Sequence, residues 1–236
     1  MRSNAHRRSI SGFTILEMSV VLVVIALILG AVTVGRDVYR SAVAERISTE
    51  FVQGWIIAYD RYVAQVGTVP GDNLANPTGR VRAGAAEPLC DSNSDPALRD
   101  EMLRRGITLP SGRAEGLESR YAYQDSNGLP QELQVCFTSV VDWAEPGPGS
   151  SYVHRVRNVM VLRGLTPELA NQLDNRLDGR IDARFGRMRE MGQHSITTAI
   201  GSPPAANPWS KDGDDTRDGR PDGQVESMTA YVKMNQ

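Results

Sequence analysis

From Phe13 to Gly35 the chain runs for 23 positions with one charged residue, Glu17. A helix of about 20 apolar residues, rising ~1.5 Å per residue, spans the ~30 Å hydrocarbon core of a bilayer. Eleven Val, Leu and Ile residues lie between Val20 and Val34. At mid-membrane they contribute about −3 to −6 kcal/mol. A carboxylate at the centre costs about 2.5 to 3.5 kcal/mol, and less near the end, where Glu17 sits. The segment therefore inserts in spite of its acid. An ionisable residue held inside a membrane span is a functional candidate.

The surrounding residues narrow that function. A leader with Arg2, Arg7 and Arg8 precedes Gly12-Phe13-Thr14-Ile15-Leu16-Glu17, and an unbroken apolar helix follows. This arrangement, over roughly residues 5–66, resembles the N-terminus of type IV prepilins and type II secretion pseudopilins. The resemblance implies cleavage by a prepilin peptidase between Gly12 and Phe13, and N-methylation of Phe13. It also implies that Glu17 meets the new N-terminus of a neighbouring subunit in a helical filament. The chemistry is consistent: cleavage turns an uncharged amide into an ammonium, and a buried carboxylate stays ionised at least cost beside a cation. Two plainer readings stand beside it. One is an ordinary anchor whose Glu17 reaches for the headgroups. The other is a secretory signal cut after Ala42-Val43-Ala44, although its apolar core exceeds the usual stretch of about 7–15 residues.

The formal net charge of −2 over 236 residues does not suit a nucleic-acid-binding protein. The basic leader places residues 1–12 in the cytoplasm and the chain after Gly35 beyond the inner membrane. Past Gly35 the pattern becomes amphipathic. Tyr39, Val43, Ile47, Phe51, Trp55, Tyr59, Tyr62 and Val66 recur at steps of three or four. No proline falls between Phe13 and Val69. The spacing predicts one helix of about 54 residues, greasy over 13–35 and packed on a head over 36–66. Gly67 and Pro70 stop it. Many pilins carry a proline in the membrane half; here only Gly30 and Gly35 soften it, and Gly54 is a possible kink lower down.

Residues 67–236 read as a globular head. Pro70-Gly71-Asp72-Asn73 and Asn76-Pro77-Thr78-Gly79 are turns. A short helix is expected over 97–105, with Asp95 as its cap and Pro96 at its first position. Tyr121-Ala122-Tyr123, the stretch 133–143 and the stretch 153–162 read as an antiparallel meander, with a last strand near 227–234. Thr166-Pro167 opens a helix expected to end near Leu177, because Asp174, Asp178 and Asp182 would otherwise stack like charges at four-residue spacing. Leu173-Asp174-x-x-Leu177-Asp178-Gly179 resembles a helix-turn segment of some large pilin-like subunits; it also reads as a solvated turn. The expected fold class is α+β: a long N-terminal helix against a small antiparallel sheet with extra loops and short helices.

Cys90 and Cys136 are the sole cysteines. In an oxidising periplasm they are expected to pair; two buried free thiols is the alternative. The densest polar run is 211–223. Asp214, Thr216, Asp218 and Asp222 have part of the spacing of a calcium loop, although Glu226 comes one residue late. Major type II pseudopilins carry a calcium in a C-terminal loop, and an exposed acidic loop is the plain alternative. His154 and His194 lack zinc-ligand spacing, and no phosphate-cradling or nucleophile-elbow motif occurs. No enzyme activity is expected. Interleaved aspartates weaken the arginine series Arg176, Arg180, Arg184, Arg187 and Arg189 as a nucleic-acid surface.

The sequence thus points to a structural filament subunit, minor or specialised, with variable head loops suited to adhesion or partner binding. Its expected partners are other pilin subunits, the prepilin peptidase, the inner-membrane assembly machinery and the bilayer. A type II secretion pseudopilin works by the same mechanics. A single-pass anchored periplasmic domain that never polymerises is the alternative from another class.

Overall fold

The computed structural model describes residues 13–91, 96–149, 151–197, 207–209 and 227–235. The leader with Gly12, the expected cap Asp95 and the expected calcium ligands Asp214, Thr216, Asp218 and Asp222 lie outside these residues. The chain divides into two compact units, Met1–Ala42 and Val43–Gln236.

The absence of proline and the helix-favouring apolar run produce the first element, α1 (Ile15–Arg46). None of its side chains is buried. Helical backbone continues through a wider-wound segment, Ile47–Val52, into α2 (Gln53–Val66). In that segment Gln53 N–H reaches back to Ser48 O, the five-residue step of a π-helix. Gly67, at φ 81°, ends α2 in the left-handed region, and its N–H donates to Val63 O.

Burial begins at the π-helical segment. Ile47, Phe51, Trp55 and Tyr59 are wholly buried in the head, while Tyr39 is 64 % exposed. Val43 is half-buried against the same core, so the expected head-facing stripe starts about one turn later than the sequence spacing suggests. Gly54 lies in the first turn of α2, and a Cβ there would lie 2.6 Å from Pro110 Cβ, so the glycine admits the 110 loop.

The head is built on one antiparallel sheet: β1 (Arg120–Gln124), β2 (Pro130–Pro146), β3 (Tyr152–Leu165), β4 (Met188–Glu190) and β5 (Met228–Lys233). The spatial order is β1-β2-β3-β5-β4. Strand alternation sorts side chains to two faces. Leu133, Val135, Phe137, Met160, Leu162, Ala230 and Val232 join the cluster that includes Phe51, Trp55, Tyr59 and Tyr62. Phe137 is central: its ring lies 5.1 Å from Tyr59 and 6.2 Å from Trp55, both tilted. Cys136, Val159 and Val161 belong to a second cluster with Trp143. Trp143 reaches it beyond a register shift in β2 between Val140 and Trp143; Val141, counted as a strand apolar residue from sequence, is 63 % exposed there.

Two short helices complete the head. In α3 (Leu98–Arg104) the N-cap is Ala97, which makes no side-chain cap. The first turn is served from a distance instead: Leu98 N–H donates to Cys90 O at 3.3 Å and Arg99 N–H to Asp91 Oδ1 at 2.7 Å. Buried Glu101 takes Tyr62 Oη at 2.5 Å and Arg104 at 2.6 Å, tying α3 to α2. In α4 (Pro167–Asp178) the Thr166 side chain accepts from Leu169 N–H, with Pro167 in the first turn, as the sequence predicts. Gly179, at φ 73°, closes it one residue past the expected end.

Candidate functional site

The first candidate site is the start of α1. Thr14 and Glu17 form a reciprocal cap. Glu17 N–H donates to Thr14 Oγ1 at 3.2 Å, and Glu17 Oε2 accepts from Thr14 N–H at 2.9 Å and Thr14 Oγ–H at 3.0 Å. This is the Thr-x-x-Glu capping box, in which two otherwise orphaned N–H groups are satisfied together. The carboxylate is thus turned back toward the residue that follows Phe13. The helix dipole also favours a negative charge in the first turn. Sequence reading assigned Glu17 to a partner subunit and missed this local partner, although threonine three residues before a glutamate is its signature. Phe13, at 80 % exposure, and Ile15, at 91 %, flank the acid with apolar surface. Among the described residues this helix is the one long and apolar enough to cross a membrane.

The second candidate feature is the strap over the sheet. Cys90 and Cys136 are bonded, with Cα atoms 4.6 Å apart. Beside them Leu89 and Phe137 exchange backbone hydrogen bonds at 2.7 and 3.0 Å. The bridge therefore fastens the segment before α3 to the middle of β2. Upstream, the Pro70-Gly71-Asp72 turn is organised by its acid. Asp72 accepts from Thr78 N–H, Thr78 Oγ–H, Asn73 N–H and Gly79 N–H. Burial alone would raise its pKa, but these hydrogen bonds outweigh it and hold the carboxyl below the usual range. Val81 N–H, Ser139 and Asn158 continue the same polar network across the sheet.

The acids after α4 do more than face water. Asp174 is fully buried, and its Oδ2 accepts from Asp182 N–H at 2.7 Å and Trp209 Nε1 at 3.1 Å. Asp178 Oδ2 accepts from Arg187 N–H and Met188 N–H, and Asp182 Oδ1 from Arg184 N–H, Phe185 N–H and Asn207. The four-residue spacing places three carboxylates where the loop from Gly179 to β4 needs acceptors. The solvated-turn reading is thereby corrected for Asp174. Burial, with help from nearby Asp178, pushes the Asp174 carboxyl up to about 7, against the hydrogen bonds it accepts. Its Oδ1 has no hydrogen-bond donor among the described residues.

The arginine series does not make one surface. Arg176 pairs with Glu45, Arg184 bonds Gln193, and Arg187 bonds Lys233 O. Arg189 is buried over the Trp143 ring at 4.2 Å and donates to Ala144 O and His194 O. His194 lies beside Asp142 at 3.1 Å, and His154 beside Ser195 O at 3.0 Å. Among the described residues no group of three His, Cys, Asp or Glu side chains is placed to hold a metal ion. No family model, no curated protein and no solved structure matches this chain.

Proposed function

We propose that the protein is a structural subunit of a type IV pilus-like filament, polymerising through its N-terminal helix. The observation that carries this reading is the pairing of two features in one helix. From Ile15 to Tyr39 α1 leaves every apolar side chain exposed, and its single acid before Arg36 sits in the first turn. Such a surface needs lipid before assembly and other helices afterwards. The capping box turns Glu17 back onto Thr14, the residue after the one whose amine the peptidase would release.

On this reading residues 1–12 are removed by a prepilin peptidase, and Phe13 becomes the methylated N-terminus. The precursor spans the inner membrane once with its N-terminus in the cytoplasm. Assembly machinery then moves it into a filament, with the head facing the periplasm or the cell exterior. The head contributes partner or surface contacts and no catalysis. A pseudopilin of a type II secretion system is the same object with a shorter filament.

The deciding experiment replaces Glu17 with Val in cells that assemble the filament. Loss of filaments, with membrane insertion and an N-terminal methyl-phenylalanine retained by mass spectrometry, supports the proposal. Normal fibres from Glu17→Val, or a mature chain that begins elsewhere than Phe13, reduce the protein to an anchored domain.

A further inference from the structure

Among the described residues, four cations and one shared carboxylate lie together at one edge of the head. Glu145, near the end of β2, accepts from Arg157 at 2.8 and 2.7 Å and from Lys233 Nζ at 3.2 Å, with Arg155 Nε at 3.6 Å. The Arg157 hydrogen bonds chiefly, with Lys233 adding to them against the opposing effect of burial, hold the Glu145 carboxyl down at about 2. It is therefore an anion near neutral pH, and one anion serves three cations. A fourth cation, Arg187, comes from the segment entering β4. Its Nε donates to Lys233 O at 2.9 Å, one terminal nitrogen is buried without an acceptor, and it makes no ion pair among the described residues.

Among the described residues, two other acids accept hydrogen bonds from neutral N–H groups. Asp178 Oδ2 takes the backbone N–H groups of Arg187 and Met188, and Asp60 takes the Asn235 amide at 3.0 Å. Arg157, Arg187, Lys233, Met234 and Asn235 line a cavity of about 380 Å³. Its lining thus offers an ammonium with donors to spare and a guanidinium that makes no ion pair among the described residues, while the saturated carboxylate of Glu145 stands outside the lining. A phosphate group brings up to two charges and several acceptor oxygens, which suits a fork and an ammonium set side by side.

We propose that this cavity binds a phosphate group, with Lys233 and Arg187 as its direct donors and Arg157 as supporting charge. The site is independent of filament assembly. Its phosphate comes either free in solution or on a phospholipid headgroup, and the recognition chemistry is the same.

The test is a phosphorus NMR titration of the full chain in neutral detergent, with inorganic phosphate at constant ionic strength set by chloride. Saturable binding in the millimolar range or tighter is expected. Lys233→Gln and, separately, Arg187→Gln each weaken it at least tenfold, while Arg61→Gln, on α2, leaves it unchanged. Thermal melts check that each variant is folded; if Arg187→Gln unfolds, Lys233→Gln alone decides. Line broadening that never saturates overturns the proposal, and so does equal binding by folded Lys233→Gln. A short-chain phosphatidylglycerol below its micelle concentration then separates the sources. Displacement of phosphate assigns the site to headgroups, and undisturbed phosphate assigns it to the free anion.

Discussion

Within α1 no side chain is buried, whereas Ile47, Phe51, Trp55 and Tyr59 a few turns later have no exposure at all. The two regions share helical backbone from Ile15 to Val66. They differ in side chains and in what surrounds them. In the first, Leu, Val and Ile cover the helix all round, so no single face selects a partner within the chain. In the second, aromatic residues at three- and four-residue steps form one stripe, and the sheet supplies Phe137, Val135 and Met160 to meet it. Helix formation is thus common to both, and burial is decided by whether the apolar surface is one-sided.

That contrast can be broken or sharpened by experiment. The largest effect is expected from Trp55→Ala, which removes the biggest side chain of the α2 stripe. Chemical unfolding of the head should show a loss of roughly 3 to 5 kcal/mol. Leu27→Ala in α1 should leave the same transition where it was. A comparable loss from Leu27→Ala would mean that the exposed helix is part of the head's folding unit.

Cleaving the strap comes next. Cys90→Ser with Cys136→Ser opens a 46-residue separation, and the chain-entropy estimate is about 4 kcal/mol. Denaturant midpoints of the oxidised and double-variant proteins measure it. The effect belongs to the head alone, so helicity of a membrane-inserted α1 should be unchanged.

A pH dependence of the head should follow from Asp174. Its carboxyl is pushed up from 3.8 to about 7, so the folded chain retains a proton that the unfolded chain releases. The stability due to that proton is complete below pH about 4 and is lost as the pH rises to about 7. About 2 to 4 kcal/mol is expected across that interval. Glu145 has the opposite sign: its stabilisation is present above the ordinary 4.5 and fades only as the pH falls toward 2. Urea melts from pH 4 to 8 should therefore slope downward, and Asp174→Asn should flatten them. A flat wild-type profile would remove the buried-proton account.

The smallest effect is expected at the start of α1. Thr14→Ala removes the cap that holds Glu17, at a cost of about 1 kcal/mol to the first turn. Amide exchange near Ile15 in detergent should accelerate, with the head unaffected. Unchanged protection there would mean that the Thr14–Glu17 contact does not govern the helix end.

The sequence was readable where the signal is local. Thr166-Pro167 and Gly179 mark α4 because caps act within a turn. The alternating apolar residues of β2 and β3 mark strands for the same reason. The misses are long-range. β4 is three residues, too short for any alternation to show, and it exists because Met188 and Glu190 pair with Val232 and Ala230. The N-cap of α3 was assigned to Asp95, while the first-turn N–H groups are met by Cys90 O and by Asp91. Asp174 looked solvated since its neighbours are charged; only the return of the 179–188 loop and Trp209 closes water off. The cationic cavity joins residues from 157 to 235, which no spacing rule connects.

By itself, the sequence determined an apolar helix fit for lipid, the acid in its first turn, an antiparallel head and a pair of cysteines. These follow from composition and short periods, which act on neighbours along the chain. The tertiary structure decided where on the helix burial begins, which acids lie inside, and which cations share one carboxylate. Those outcomes depend on segments far apart in sequence arriving at one place, and contact between them is what sets dielectric, partner and pKa.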